Sequence, residues 1–154
     1  QGDMVPRVTY MGDPYSCAFS GKALTFFSSR NLASPELLEQ RTIEERIDSV
    51  FYSDEYAAAI VRNTNGEYGS RLEVYKKDGT HVLSKEFNFE YTHADFDGDL
   101  IILYNEDSCR IYNMSGTEKF DATFDFPVSR IRKGRFPGTL VVTGPQQMRE
   151  LKLH

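Results

Sequence analysis

Apolar residues in this chain come in short runs of two kinds that take turns. Some are nearly continuous, as in Ala57–Val61 and Leu100–Leu103, and others alternate with polar residues, as in Arg71-Leu72-Glu73-Val74-Tyr75. A continuous run fits a strand buried on both faces, and an alternating run a strand with one wet face. The alternating runs close on turn signals, giving RLEVYKKDG at Arg71–Gly79 and CRIYNMSG at Cys109–Gly116. A step of 37 residues places Val74 on Ile111, Tyr75 on Tyr112 and Gly79 on Gly116, and it carries Phe87-Asn88-Phe89 onto Phe124-Asp125-Phe126. Just upstream, Ile60-Val61-Arg62-Asn63 matches Ile102-Leu103-Tyr104-Asn105 at a step of 42. The five extra residues fall in Thr64–Ser70, shortened to Glu106-Asp107-Ser108 in the next copy, and a polar hairpin tip tolerates such variation.

Leu24–Asn31 has the shape of Leu72–Gly79, with Asn31 in the place of glycine; Asn tolerates positive φ better than other side chains. Leu140–Thr143 resembles Ile101–Tyr104, and Arg149–Leu153 begins another alternating strand. Each unit therefore reads as four strands: a first strand, a continuous apolar strand, an alternating strand ending in x-x-x-Gly, and an aromatic strand. A period near 40 residues with four strands per unit predicts β-propeller blades. The expected fold is all-β and propeller-like, with about four four-stranded blades, the last incomplete. It forms one domain over 1–154, with units near 5–47, 48–90, 91–127 and 128–154. Four units is the low end for closing a ring. A partial propeller leaves faces and edges uncovered, which predicts either a homodimer or a further part of the ring upstream of Gln1.

Val5–Tyr10 reads as a first strand with Pro6 near its start, and Gly12-Asp13-Pro14 as a turn. Two readings meet over Ser34–Asp48. Locally the stretch is helical, with Ser34 as N-cap, Pro35 at the first position, Glu36 in the first turn, and Ile43 and Ile47 four apart. A repeat step of 45 instead sets Leu37-Leu38 on Val82-Leu83 and Phe51 on Phe96, which predicts strands. The strand reading is followed, because tertiary context overrides propensity.

With 40% apolar and 27% charged residues the 154-residue chain is ordinary for a globular domain, and no run of 18 apolar residues is present. It opens on Gln1, which raises the expectation of a signal or anchor upstream, so that membrane contact would come only through a segment outside this chain. A net charge of −5 argues against a nucleic-acid partner. Cys17 and Cys109 are too few for a disulfide framework and are expected as buried thiols.

Asp95-Phe96-Asp97-Gly98-Asp99 is the sharpest local motif. Asp95, Asp97 and Asp99 offer hard oxygen ligands at alternate positions, as at the start of the calcium loops of integrin-type propellers, so Ca²⁺ is the candidate cofactor. The loop pattern then breaks at Leu100, and a plain Asp-Gly hairpin turn is the preferred reading. Arg130, Arg132, Lys133 and Arg135 gather four cations beside Gly134, a candidate site for an anionic polymer or phosphate; one solvated strand face gives the same pattern and is preferred. Phe87, Phe89, Phe124 and Phe126 are read as strand residues that pack between blades, in preference to sugar platforms. The histidines are His81, His93 and His154, without a Gly-x-Ser-x-Gly elbow or a metal spacing, so no catalytic residue is assigned.

Taken together, YSDEYAAAIVRN, RLEVYKKDG, DFDGDLIILYNED and CRIYNMSG resemble an uncharacterised family of propeller-like repeat domains from Gram-positive bacteria, often membrane-anchored by an N-terminal helix. More broadly the repeats are similar to WD40-like and quinoprotein-like propellers, though the chain has no Trp and so lacks the Trp-Asp dipeptide. The resemblance implies the fold and an extracellular, cell-surface location, with a cytoplasmic one left open; it implies no activity. The expected function is a non-catalytic binding or scaffold module for a protein or glycan. The alternatives are a metal-dependent hydrolase or lyase using His93, Asp95 and Asp97, and a purely structural self-assembly module.

Overall fold

In the computed structural model the described residues are 7–11, 14–30, 35–62 and 68–153, with backbone alone for 7–10. The apolar runs become short antiparallel strands, and these fall into four sheets in chain order. The first sheet holds β1 (Arg7–Tyr10), β2 (Tyr15–Phe19), β3 (Ala23–Ser28) and β4 (Glu36–Thr42). The second holds β5 (Ile47–Tyr52), β6 (Tyr56–Arg62), β7 (Ser70–Lys76) and β8 (His81–Phe87). The third holds β9 (His93–Asp97), β10 (Leu100–Tyr104), β11 (Ser108–Asn113) and β12 (Glu118–Thr123). The fourth has three strands, β13 (Arg130–Lys133), β14 (Thr139–Thr143) and β15 (Met148–Lys152). Each is an up-and-down meander, so the fold is all-β and propeller-like, with four blades, the last of three strands among the described residues. Glu36–Thr42 is a strand, as the repeat predicts and local propensity does not.

The repeated x-x-x-Gly signal has one physical cause. Gly79 N–H donates to Lys76 O at 2.8 Å while Lys76 N–H donates to Thr80 O at 2.8 Å; Gly116 and Asn113 make the same pair of bonds, at 3.1 Å to Asn113 O and 3.0 Å to Thr117 O. Each glycine takes the left-handed φ that this turn demands, +92° at Gly79 and +82° at Gly116. Each turn is followed by a register shift between third and fourth strand, at Val74/Tyr75 and at Ile111/Tyr112. Asn31, the expected stand-in for glycine, lies outside the described residues, as do Ser34, Pro6, Gly12-Asp13, His154 and most of the Thr64–Ser70 loop.

The chain divides into two compact units, Gln1–Asn88 and Phe89–His154, each built from two blades. In the first, Cys17, Phe19, Leu24, Phe26 and Ile43 of one blade pack with Ala57, Ala59, Val61 and Tyr75 of the next. In the second, Ile102, Tyr104, Cys109, Ile111, Phe124 and Phe126 pack with Ile131, Leu140 and Val142. Ala57–Val61 is fully buried along its length, as a strand covered on both faces must be, and the alanines keep its surroundings close. Cys17 and Cys109 are free buried thiols, and burial raises the pKa of each to about 12.

One detail of the strand assignment is corrected. The aromatic positions lie at the end of the fourth strand and not along it: Phe87 ends β8, Phe89 lies just past it, and Phe124 and Phe126 follow β12. Phe124 N–H donates to Asp107 O at 2.7 Å, next in register after Ser108↔Thr123, and Phe124 and Phe126 are buried in the core of the second unit.

Candidate functional site

A candidate binding cavity lies in the first unit. It is a cleft of about 720 Å³ lined by Phe19, the β2–β3 tip Ser20-Gly21-Lys22, the β4–β5 connection from Glu44 to Arg46, and β5 from Ile47 to Val50. Two main-chain bonds shape its rim, Ser20 N–H to Ala23 O at 2.9 Å and Ile43 N–H to Lys22 O at 2.7 Å. They set the hairpin tip of one blade against the connection that leads into the next. Phe19, Ile47 and Val50 supply apolar surface.

Most of the charge around this cleft is already engaged. Arg71 forks onto Glu45, with Nη1 at 2.6 Å and Nη2 at 3.1 Å, and its Nε reaches Glu73 at 2.5 Å. Hydrogen bonding from Arg71 holds the Glu45 carboxyl down at about 2, and the same pairing raises the pKa of the guanidinium. Glu73 also accepts from Ser84 Oγ at 2.6 Å and meets His81 Nε2 at 3.0 Å. Asp48 is flanked by Arg62 at 3.1 Å and Arg46 at 3.7 Å. Lys22 and Glu44, exposed at the rim, stand outside these pairs among the described residues. The cleft thus offers an apolar floor with one cation and one anion on its edge.

The Glu73 cluster has a counterpart 37 residues on, with its charges reversed. There Arg110 replaces Glu73, Glu118 replaces His81 and Asp121 replaces Ser84, and Arg110 lies 3.5 Å from Glu118 and 3.7 Å from Asp121. The fork tying the third strand to the fourth is kept while its polarity is exchanged, which marks it as structural.

The two charged motifs singled out in the sequence meet within the second unit. Asp95 and Asp97 lie on β9, and Gly98-Asp99 is the two-residue loop pairing Asp97 with Leu100. Gly98 has φ +60° and Asp99 does not have positive φ, the signs of a II′ hairpin turn. Asp95 Oδ1 accepts the N–H of Phe96 at 2.9 Å, and Asp97 Oδ2 accepts the N–H of Lys133. The Lys133 ammonium lies over the turn, so that a Cβ on Gly98 would meet its Nζ at 2.6 Å. Among the described residues no three His, Cys, Asp or Glu side chains converge to hold a metal ion. Arg130 and Arg132 are exposed on β13 on either side of buried Ile131, and Arg135 is exposed in the β13–β14 connection. The acidic turn of one blade therefore docks on the basic strand of the next.

His93 stacks on Tyr104 with ring centroids 4.9 Å apart and accepts or donates at Thr92 Oγ1, 3.0 Å from Nδ1. It borders a smaller cavity of about 460 Å³ with Glu90, Asn105, Glu106, Asp107 and Val128. His81 belongs to the Glu73 cluster. Sequence reasoning gave no site role to any residue of the larger cleft, and noted Ile47 only for its spacing from Ile43. The one signal available was the conflict of helical and strand patterns over Ser34–Asp48, which supplies the cleft's β4–β5 wall; local and global preferences disagree most often where a chain does something other than fold.

Comparison with solved structures gives the same architecture. The computationally designed Ika4 protein matches with a TM-score of 0.58 at 8% identity, over 96% of this chain and 92% of that one. Hydrazine synthase of Kuenenia stuttgartiensis matches with a TM-score of 0.56 at 8% identity, over 99% of this chain and 49% of that one. Hsv2 of Kluyveromyces lactis gives 0.54 at 9% identity, over 97% and 47%. This chain thus spans about half the length of the two natural proteins, and at such identities the likeness shows the fold alone. Comparison with curated protein sequences finds no match. Among the described residues no helix is long and apolar enough to cross a membrane. A family model covers residues 1–153, and by that match the chain belongs to DUF5711, a family of unknown function.

Proposed function

We propose that this chain is a non-catalytic binding or scaffold module that recognises a protein or a glycan at the cell surface through the cleft over β5. The observation that carries the reading is the cleft itself. Its volume of about 720 Å³ falls in the range of ligand-holding sites, and its apolar floor and free rim charges are what a recognition surface needs. The neighbouring acidic and basic groups are tied into Glu45–Arg71–Glu73 and Arg46–Asp48–Arg62, so they hold the walls. The surface location rests on the sequence resemblance alone.

The reading is tested by screening the purified chain against a glycan array and a displayed library of random dodecapeptides. Two variants run alongside, Lys22→Glu, which reverses the rim cation, and Gly21→Tyr, which fills the cleft. An added Cβ at Gly21 meets nothing within 4 Å, so the second variant blocks the site without crowding the fold. Binders retained by the wild type and lost in both variants support the proposal. Binders held equally by all three, or saturable turnover of any array substrate, overturn it.

A further inference from the structure

β5 opens the second sheet and pairs with β6 alone, so its other edge is unpaired among the described residues. The sheet it opens and the sheet before it each have four strands. Sheets commonly blunt an exposed edge with charge. The first strands of the third and fourth sheets carry ionisable residues at three positions each, His93, Asp95 and Asp97 on β9 and Arg130, Arg132 and Lys133 on β13. β5 reads Ile47-Asp48-Ser49-Val50-Phe51-Tyr52, and the carboxylate of Asp48 is engaged by Arg62 and Arg46.

Strand parity fixes what this edge offers. Ser53 N–H donates to Tyr56 O at 2.8 Å across the β5–β6 turn, so Ser53, Phe51 and Ser49 turn their main chain toward β6. Val50 and Tyr52 then turn N–H and C=O away from it, and no other strand among the described residues takes them. The register shift between Ile47 and Ser49 sets Ile47 and Val50, three apart, against the same core, and both also line the cleft. Free main-chain groups at Val50 thus border the apolar floor. The rim adds both signs of charge at one end: Ile43 N–H donates to Lys22 O at 2.7 Å, which brings Lys22 and Glu44 near each other where the β4–β5 connection enters β5.

We infer that the ligand of the cleft is an extended peptide that adds to the edge of β5 as a further strand. The inference rests on the reading of the cleft as a recognition site, and it selects protein over glycan. A peptide main chain presents a donor and an acceptor on one side at every second residue, as Val50 and Tyr52 do, and its alternate side chains reach the floor. An acidic and a basic residue in succession answer Lys22 and Glu44, which a neutral glycan cannot do. Pairing is antiparallel, the more stable direction per residue. An apolar residue then lies opposite Val50, and the charged pair lies toward the peptide's C-terminus.

The test is an NMR titration of the isotope-labelled chain with the peptide acetyl-Thr-Val-Thr-Leu-Thr-Glu-Lys-amide, taken to millimolar concentration. Two further peptides carry a single backbone N-methyl group, one on the Leu and one on the Thr that follows it. Shifts are expected to centre on the Val50 and Tyr52 amides, with hydrogen exchange at Val50 slowed on binding. Methylation at Leu removes the N–H that would donate to Val50 O and is expected to weaken binding about tenfold or more, whereas methylation at Thr faces away from β5 and is expected to stay within about threefold of the parent. Equal effects of the two methyl groups, or no shift with any of the three peptides, overturn the inference. If glycans are then retained by the wild type and lost in Lys22→Glu and Gly21→Tyr, the recognition reading stands without it; if neither glycans nor peptides behave so, both fall.

Discussion

The contact between the first two blades can be weighed with a single methyl group placed at three glycines. Gly79 has φ +92°, and a Cβ there would meet Glu39 Cβ at 2.5 Å, Glu39 Cγ at 3.0 Å and Phe26 Cδ2 at 3.1 Å. Glu39 Cβ is fixed to the β4 backbone, so it cannot swing aside. Gly138 has φ +75° with nothing within 4 Å, and Gly21 has neither positive φ nor a neighbour in reach. Left-handed backbone costs a non-glycine residue about 1–2 kcal/mol, and forcing an extra carbon into a packed place costs about 1–3 kcal/mol more. Gly79→Ala is thus expected to lose about 2–5 kcal/mol, Gly138→Ala about 1–2 kcal/mol. Gly21→Ala is expected to gain about 0.5 kcal/mol, from a less free unfolded chain. Urea unfolding followed by far-UV circular dichroism reads the series. At a slope of about 2 kcal/mol per molar, the Gly79 variant moves its midpoint down by about 1–2.5 M. If Gly79→Ala costs no more than Gly138→Ala, the β7–β8 turn is not packed on β4, and the account of this blade contact is wrong.

The Glu45–Arg71 fork predicts a pH dependence of known sign. A carboxylate whose folded pKa lies near 2 stabilises the fold above its unfolded value near 4.5, and that contribution disappears as pH falls between the two. The pair is partly exposed, which limits it to about 1 kcal/mol; urea midpoints at pH 6 and pH 3 should converge in Arg71→Met, and equal acid sensitivity in wild type and variant would refute the pairing. The thiols of Cys17 and Cys109, buried and raised to about 12, should stay silent to a disulfide reagent at pH 8 and both react in 6 M guanidinium. A native chain that titrates one or two thiols at once would contradict their burial.

The parts of the fold legible in the sequence were those fixed by the repeat. Gly79 and Gly116 recur because one turn geometry demands φ above zero twice. Tyr75 and Tyr112 recur because both are buried, at 5% and 2% exposure. Even β4 was legible this way, though all seven of its residues, from Glu36 to Thr42, have polar or helix-favouring side chains and only Leu38 packs on the core. Pairing with β3 along Ala23–Ser28 decides its conformation, and no local propensity reports that pairing. The aromatic pairs misled on one point. Their period matched a strand, but Phe124 and Phe126 lie past the end of β12, in the buried core of the second unit, and a residue pattern does not mark where a strand ends.

The charged residues were illegible for a different reason, and that reason says where function is to be sought. A repeat preserves what every blade needs, so residues shared between blades report folding. Glu73 and Arg110 occupy one repeat position with opposite charge, and a search for matching residues passes over them, although each anchors the same fork. Asp97 and Lys133 lie in separate motifs that look like two ligand sites; joined, they are one contact between blades. After these engaged groups are set aside, Lys22 and Glu44 remain at the cleft. Neither is required by the blade plan. Exposed charges beside apolar surface are the places where a second molecule gains most by docking, so recognition is expected at the cleft.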